Sequence, residues 1–134
     1  MRSIAIIEQM DRQDCELMLS QMPIGRIGIN FGGKPVVLPV NYVFVDGEIL
    51  FRTFTGQKFH AAKARQDVCF EVDAWDLDLR TGWSVLVKGH AEPILETAKI
   101  AAAEELGLDS WTDIADHGPW VRIIPDEITG RRLV

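Results

Sequence analysis

Residues 36–58, VVLPVNYVFVDGEILFRTFTGQK, constrain the fold more than any other stretch of the chain. Val40, Tyr42 and Phe44 share one parity, and Asn41, Val43 and Val45 share the other. After Asp46-Gly47, Ile49, Phe51, Thr53 and Thr55 alternate with Leu50, Arg52 and Phe54. Period-two alternation on both sides of Asp-Gly is the pattern of a β-hairpin, because that turn needs residues that tolerate positive φ. The second strand carries Thr53, Thr55, Gly56 and Lys58 to one place. Two hydroxyls, a glycine and an ammonium at the opening of a helical stretch fit an anion such as phosphate. The same residues also suit a capped helix end facing water, and the residues alone leave the two readings even.

The flanking chain reads as more short strands. Residues 3–9 hold an apolar patch that pairs as a strand or packs as an arm. Asp11, with Asp14 three residues on, is the N-cap of a helix to about Gln21, and Cys15, Met18, Leu19 and Met22 form its buried stripe. Pro23 ends it. Residues 26–30 form the first barrel strand, and Gly32-Gly33 turns the chain. Pro39 lies inside an apolar strand pattern, and a proline without its ladder donor marks an edge or a bulge. A short helix over residues 59–65 and strands over 68–75 and 82–93 follow. In the last of these, Trp83, Val85, Val87 and Ala91 oppose Ser84, Leu86, Lys88, His90 and Glu92, so one face is wet. Residues 96–106 are an alanine-rich helix with Gly107 as its cap. Residues 111–118 are a loop or a short helix, residues 120–124 are the last strand, closed by Pro125, and residues 128–133 dock back on the barrel. Hairpins without βαβ alternation give a mainly β fold with α+β accessories: one domain, residues 1–134, built as a six-stranded antiparallel split barrel with short helices.

Several chemistries are excluded. A net charge of −6 argues against a nucleic-acid binder, which needs a basic face. Cys15 and Cys69 are far apart, which suits a reduced cytoplasm better than a disulfide framework. No secretory leader pattern opens the chain and no apolar run has membrane-spanning length, so a cytoplasmic protein with no membrane partner is expected. His60, His90 and His117 are scattered, without partners at metal-ligand spacing. Asp73, Asp76 and Asp78 lack the glycine and terminal glutamate of a calcium loop and read as solvated. Neither a Rossmann fingerprint nor a P-loop is present.

Four segments together resemble the pyridoxamine 5'-phosphate oxidase-like family of flavin-binding split barrels. They are Gly25-Arg26-Ile27-Gly28-Ile29, Pro39-Val40-Asn41-Tyr42, Thr53 to Lys58, and Gly82-Trp83-Ser84 through Ala91. The resemblance implies bound FMN. Lys58 would supply the charge for its phosphate, with hydroxyls from Thr53 and Thr55, and Arg26 matches an arginine of the family's first phosphate-contacting strand. Arg52 falls on the other face by alternation and joins the phosphate only if the strand frays. Pro39, Val40 and Asn41 would line the ring slot, and Trp83 and Ser84 match the approach to the ring and its polyol. Trp120 and Arg122 resemble a tryptophan and arginine that family members bring from a second subunit, which implies a homodimer.

The expected activity is an FMN-dependent oxidoreductase that passes hydride to a small-molecule acceptor, with the cofactor carrying the redox chemistry. The chain ends at Gly130-Arg131-Arg132-Leu133-Val134 without the paired arginine and histidine motif of the longer pyridoxamine phosphate oxidases. It therefore looks more like the short flavin reductases and nitroimidazole-resistance-like members. Two alternatives stay open. An 8-hydroxy-5-deazaflavin coenzyme has an acidic tail that Lys34, Lys58, Lys63 and Arg65 would suit. A flavin- or haem-binding module without turnover is the other.

Overall fold

The computed structural model describes residues 6–53, 56–108 and 118–134. The order is β1 (Ile7–Met10), α1 (Arg12–Gln21), β2 (Ile24–Phe31), β3 (Lys34–Asn41), β4 (Val43–Val45), β5 (Glu48–Arg52), α2 (Gln57–Lys63), β6 (Asp67–Asp76), β7 (Thr81–Pro93), α3 (Thr97–Glu105) and β8 (Trp120–Leu133). The strands form one antiparallel sheet in the order β3-β2-β6-β7-β8-β5-β4, with β1 on the free part of β8. The sheet curls until β3 approaches β5, which closes most of a barrel and leaves it split between β3 and β4. The mainly β, antiparallel split-barrel reading holds.

Among the described residues there are eight strands where alternation suggests six, for two reasons. The anticipated strand over residues 36–45 divides. Residues up to Asn41 pair with β2 across the Gly32-Gly33 turn, and Val43 to Val45 pair with β5 across Asp46-Gly47. Tyr42 stands at the break, and its backbone N–H donates to the Pro23 carbonyl instead. The described part of the N-terminal arm pairs with the C-terminal end of β8. All four turn residues have positive φ, including Asp46 at 52°. Pro39 sits on an edge strand, where its missing donor costs no ladder bond.

Pro125 does not end the last strand. β8 runs through it because the register shifts there: Lys88 opposes Glu127 and Gly89 opposes Pro125, leaving Asp126 as the extra residue of a bulge. At Gly89 the backbones approach so closely that a Cβ would overlap the Ile124 carbonyl.

The barrel interior is built from one parity of each strand. Ile27, Phe70, Val85, Val87, Val121 and Ile123 are fully buried. Phe70 lies against the bare backbone of Gly25, where a Cβ would collide with its ring, and the Tyr42 ring meets it edge-on at 4.7 Å. The Tyr42 hydroxyl donates to the Leu19 carbonyl at 2.6 Å, which ties α1 to the barrel. Asp11 caps that helix as expected, accepting from the Asp14 N–H at 2.8 Å. Helix α3 covers β5 and β8 from outside through a smaller cluster of Leu50, Ile94, Ala103 and Trp120. Among the described residues no helix is long and apolar enough to cross a membrane.

Gly89→Ala should destabilise the fold by about 1–3 kcal/mol, because the methyl group can be accommodated only by opening the β7–β8 ladder at the bulge. A urea unfolding midpoint equal to that of the unaltered chain would contradict this account of the bulge.

Candidate functional site

Strand register distributes the candidate residues over two faces. Arg26 stands opposite Pro39 on one side and Glu71 on the other. Ser84 stands opposite Asp73 and Arg131. Residues directly opposite share a face, as do residues two apart. Arg26, Pro39, Asn41 and Ser84 therefore all lie on the outer face of the sheet. Val40 and Trp83 point the other way: Val40 is buried, and Trp83 packs against the core. Trp83 and Ser84 are neighbours in sequence and serve different surfaces.

On the outer face, one Arg26 nitrogen holds two carboxylates, Glu71 at 3.0 Å and Asp73 at 3.2 Å. Burial pushes the Glu71 carboxyl up to about 7, and its hydrogen bond to Asp73 and the Asp73 charge push the same way. Arg26 opposes them without prevailing. The Glu71 carboxyl is thus shifted toward its protonated form, with Arg26 bridging it and Asp73.

The phosphate candidates lie at the end of β5. Thr53 is buried, and its N–H donates to the Pro119 carbonyl at 3.1 Å. Thr55 lies outside the described residues. Lys58 is the second residue of α2 and is half-buried. Among the described residues no carboxylate lies within ion-pair distance of it, and burial lowers its pKa. A desolvated ammonium without a counter-charge favours an anionic ligand. The approach of β3 to β5 brings the strand bearing Pro39, Val40 and Asn41 toward the strand that leads to Thr53. Asn41 is half-buried, and its side-chain amide donates to the Pro23 carbonyl at 3.5 Å. Arg52 keeps to the other face: its Nε donates to the Gly118 carbonyl at 2.9 Å, and its guanidinium stacks over Trp120 at 5.3 Å.

Trp120 and Arg122 belong to that other face too. Trp120 is 4% exposed beneath α3. Arg122 reaches Glu92 at 3.1 Å and Glu48 at 3.7 Å. Two donors there, Trp120 Nε1 and Arg122 Nε, are buried without a hydrogen-bond partner among the described residues. Glu92 is a centre that sequence reading missed. It holds Arg122, Arg65 at 3.3 Å and His90 at 3.4 Å, and Arg122 keeps its carboxyl below the usual range. Its place on the wet face of β7 is visible in the sequence, but its three partners come from register and from the return after α2. Asp76 caps its own turn, accepting from the N–H groups of Asp78 and Leu79 at 3.0 and 2.9 Å. Among the described residues no group of three metal-ligating side chains forms.

A curled antiparallel barrel with these segments in this order defines the class, and comparison with known proteins agrees. The chain belongs to the pyridoxamine 5'-phosphate oxidase family, whose model matches residues 11–132. It is 32% identical to the uncharacterized protein Rv0080 of Mycobacterium tuberculosis over 96% of this chain and 86% of the relative. Its fold is similar to that of an FAD-binding protein from Mycobacterium smegmatis, with a TM-score of 0.79 and 33% identity over 93% of this chain and 98% of the other. An FAD-binding protein from Mesorhizobium loti shares the fold at a TM-score of 0.82 and 22% identity, over 97% of this chain and 98% of the other.

Glu71 gives the outer face a pH signature. Its folded pKa of about 7 exceeds the ordinary 4.5, so between these values the folded chain binds more protons than the unfolded one. Its contribution to stability therefore declines as pH rises through that window. Glu71→Gln, which keeps the hydrogen-bonding shape, should flatten the decline when urea midpoints are compared at about pH 5 and about pH 8. Identical pH profiles for both proteins would show that Glu71 titrates normally.

Proposed function

We propose that this chain binds a flavin nucleotide and acts as a flavin-dependent oxidoreductase on a small-molecule acceptor. One observation carries the reading: Lys58 is half-buried beside the end of β5, with no carboxylate paired to it among the described residues. A flavin phosphate would supply the missing charge, and buried Thr53 would add a hydroxyl to the same anion. Pro39, Val40 and Asn41, on the strand that approaches β5, would border the ring. Ser84, on the outer face with Asn41, would extend that border. Trp83 faces away from Ser84, so a ring resting on the outer face would meet Ser84 rather than Trp83. The bound flavin supplies hydride transfer, and the chain's own groups hold and orient it.

FMN is the smallest flavin nucleotide that would supply a phosphate to Lys58. FAD stands beside it because the Mycobacterium smegmatis relative is described as an FAD-binding protein. The deazaflavin alternative is less favoured, since Arg65 is paired to Glu92 and Lys63 lies over the Phe59 ring at 5.7 Å, leaving fewer basic groups for an acidic tail. The fold also supports a homodimer through the outer sheet face. That face carries exposed Val37 and holds its arginine neutralised by carboxylates.

The purified protein should retain a visible flavin absorption band after incubation with FMN or FAD and removal of the excess. Lys58→Ala should weaken binding by roughly 1.5–3 kcal/mol, the range for a charge-assisted contact. Unchanged affinity in that variant would remove Lys58 from the phosphate site, and failure to retain either flavin would remove the cofactor. Light scattering should report twice the 15.0 kDa chain mass. A monomer at micromolar concentration would remove the dimer.

A further inference from the structure

A cleft of about 540 Å³ opens at one end of the barrel, where the N-terminal part of β7, the C-terminal ends of β6 and β8, and helix α1 meet. Met10, Met18, Trp83 and Leu133 give it apolar walls. Trp75 is also part of the lining and is 58% exposed. Its indole lies on the bare backbone of Gly82, directly opposite on β7, where a Cβ would collide with the ring. The ring is thus seated on one side and open on the other, which makes it a rigid platform for stacking. The thioethers of Met10 and Met18 adapt to an uneven apolar surface.

Two charged side chains line the cleft. Asp76 is occupied in its own turn by the Asp78 and Leu79 N–H groups. Arg132 binds Asp14 through Nη2 at 3.1 Å, with 37% of its side chain exposed. A guanidinium has five donors, and one carboxylate does not exhaust them. Its planar fork suits a second carboxylate better than any neutral group. The volume falls within the range of small-molecule sites.

We propose that this cleft is a second ligand site, which takes a planar apolar molecule bearing a carboxylate, stacked on Trp75 and held by Arg132. It contains neither Thr53 nor Lys58, so it stands or falls independently of the flavin phosphate. It also accounts for Trp83, whose side chain turns away from Ser84 and into this cleft.

The test is calorimetric titration of the full chain with 2-naphthoate and, in parallel, with neutral 2-naphthalenemethanol. One saturable site per chain is expected for the carboxylate, and about tenfold weaker binding for the alcohol. Trp75→Ala should weaken naphthoate binding by a similar factor, and Arg132→Gln should make the two compounds bind alike. Arg132→Gln also frees Asp14, but the comparison of the two compounds on the unaltered chain needs no variant. Equal affinity for both compounds on the unaltered chain, full affinity in Trp75→Ala, or no saturable heat with naphthoate would each overturn the proposal.

Discussion

The antiparallel ladder between β7 and β8 is the interaction on which the rest depends. Twelve residue pairs join Gly82–Pro93 to Val121–Leu133, and the same two strands also bind β6, β5 and β1. Its single irregularity sets the geometry. At Gly89 the chain comes so close to Ile124 that no side chain fits, and the extra residue Asp126 re-aims everything beyond it. A bulge increases local twist, and twist is what allows a sheet to curl toward closure. Residues before the bulge on β8, Trp120 and Arg122, serve the face beneath α3. Residues after it, Gly130 to Leu133, line up with β1 and the N-terminal half of β7.

The sheet then works as two surfaces with different chemistry. The inner surface is aliphatic and aromatic, centred on Phe70. The outer surface holds charges in compensated groups: Arg26 with Glu71 and Asp73, and Arg122 with Glu92 and Glu48. Partly buried charges of this kind contribute little net stability, since desolvation offsets attraction, but an imperfect partner makes them costly. They therefore fix register and orientation more than they hold the fold together.

Local rules were legible in the sequence wherever the deciding contact is local. The Asp46-Gly47 turn, the Asp11 cap, the Gly32-Gly33 turn and the inward parity of Val85, Val87 and Ala91 all depend on residues within a few positions. Reading failed where a distant strand decides. Pro125 looks like a terminator until Gly89 makes room for a bulge opposite it. The run of residues 36–45 looks continuous until β2 and β5 claim its two halves. The candidate site divides in the same way. Thr53 and Lys58 can be grouped from the sequence because they sit close together in one exit from a strand. The Arg26–Glu71–Asp73 group and the Glu92 centre are not, because each needs the register of strands far apart in sequence.

The pairing of the cations then narrows where an anion can bind. The chain carries 20 carboxylates against 14 lysines and arginines, so a basic group has ample opportunity to find a partner. Arg26, Arg65, Arg122 and Arg132 have done so, and Lys88 reaches Glu127 at 3.9 Å. Lys34, Lys63 and Lys99 are exposed, where water solvates an ammonium without help. Lys58 is in neither situation among the described residues: it has lost part of its water and gained no carboxylate. In an acidic chain such a position is unfavourable unless something else supplies negative charge. A phosphate, with about two negative charges, would do so. The placement of Lys58 is thus what the proposed flavin phosphate would relieve.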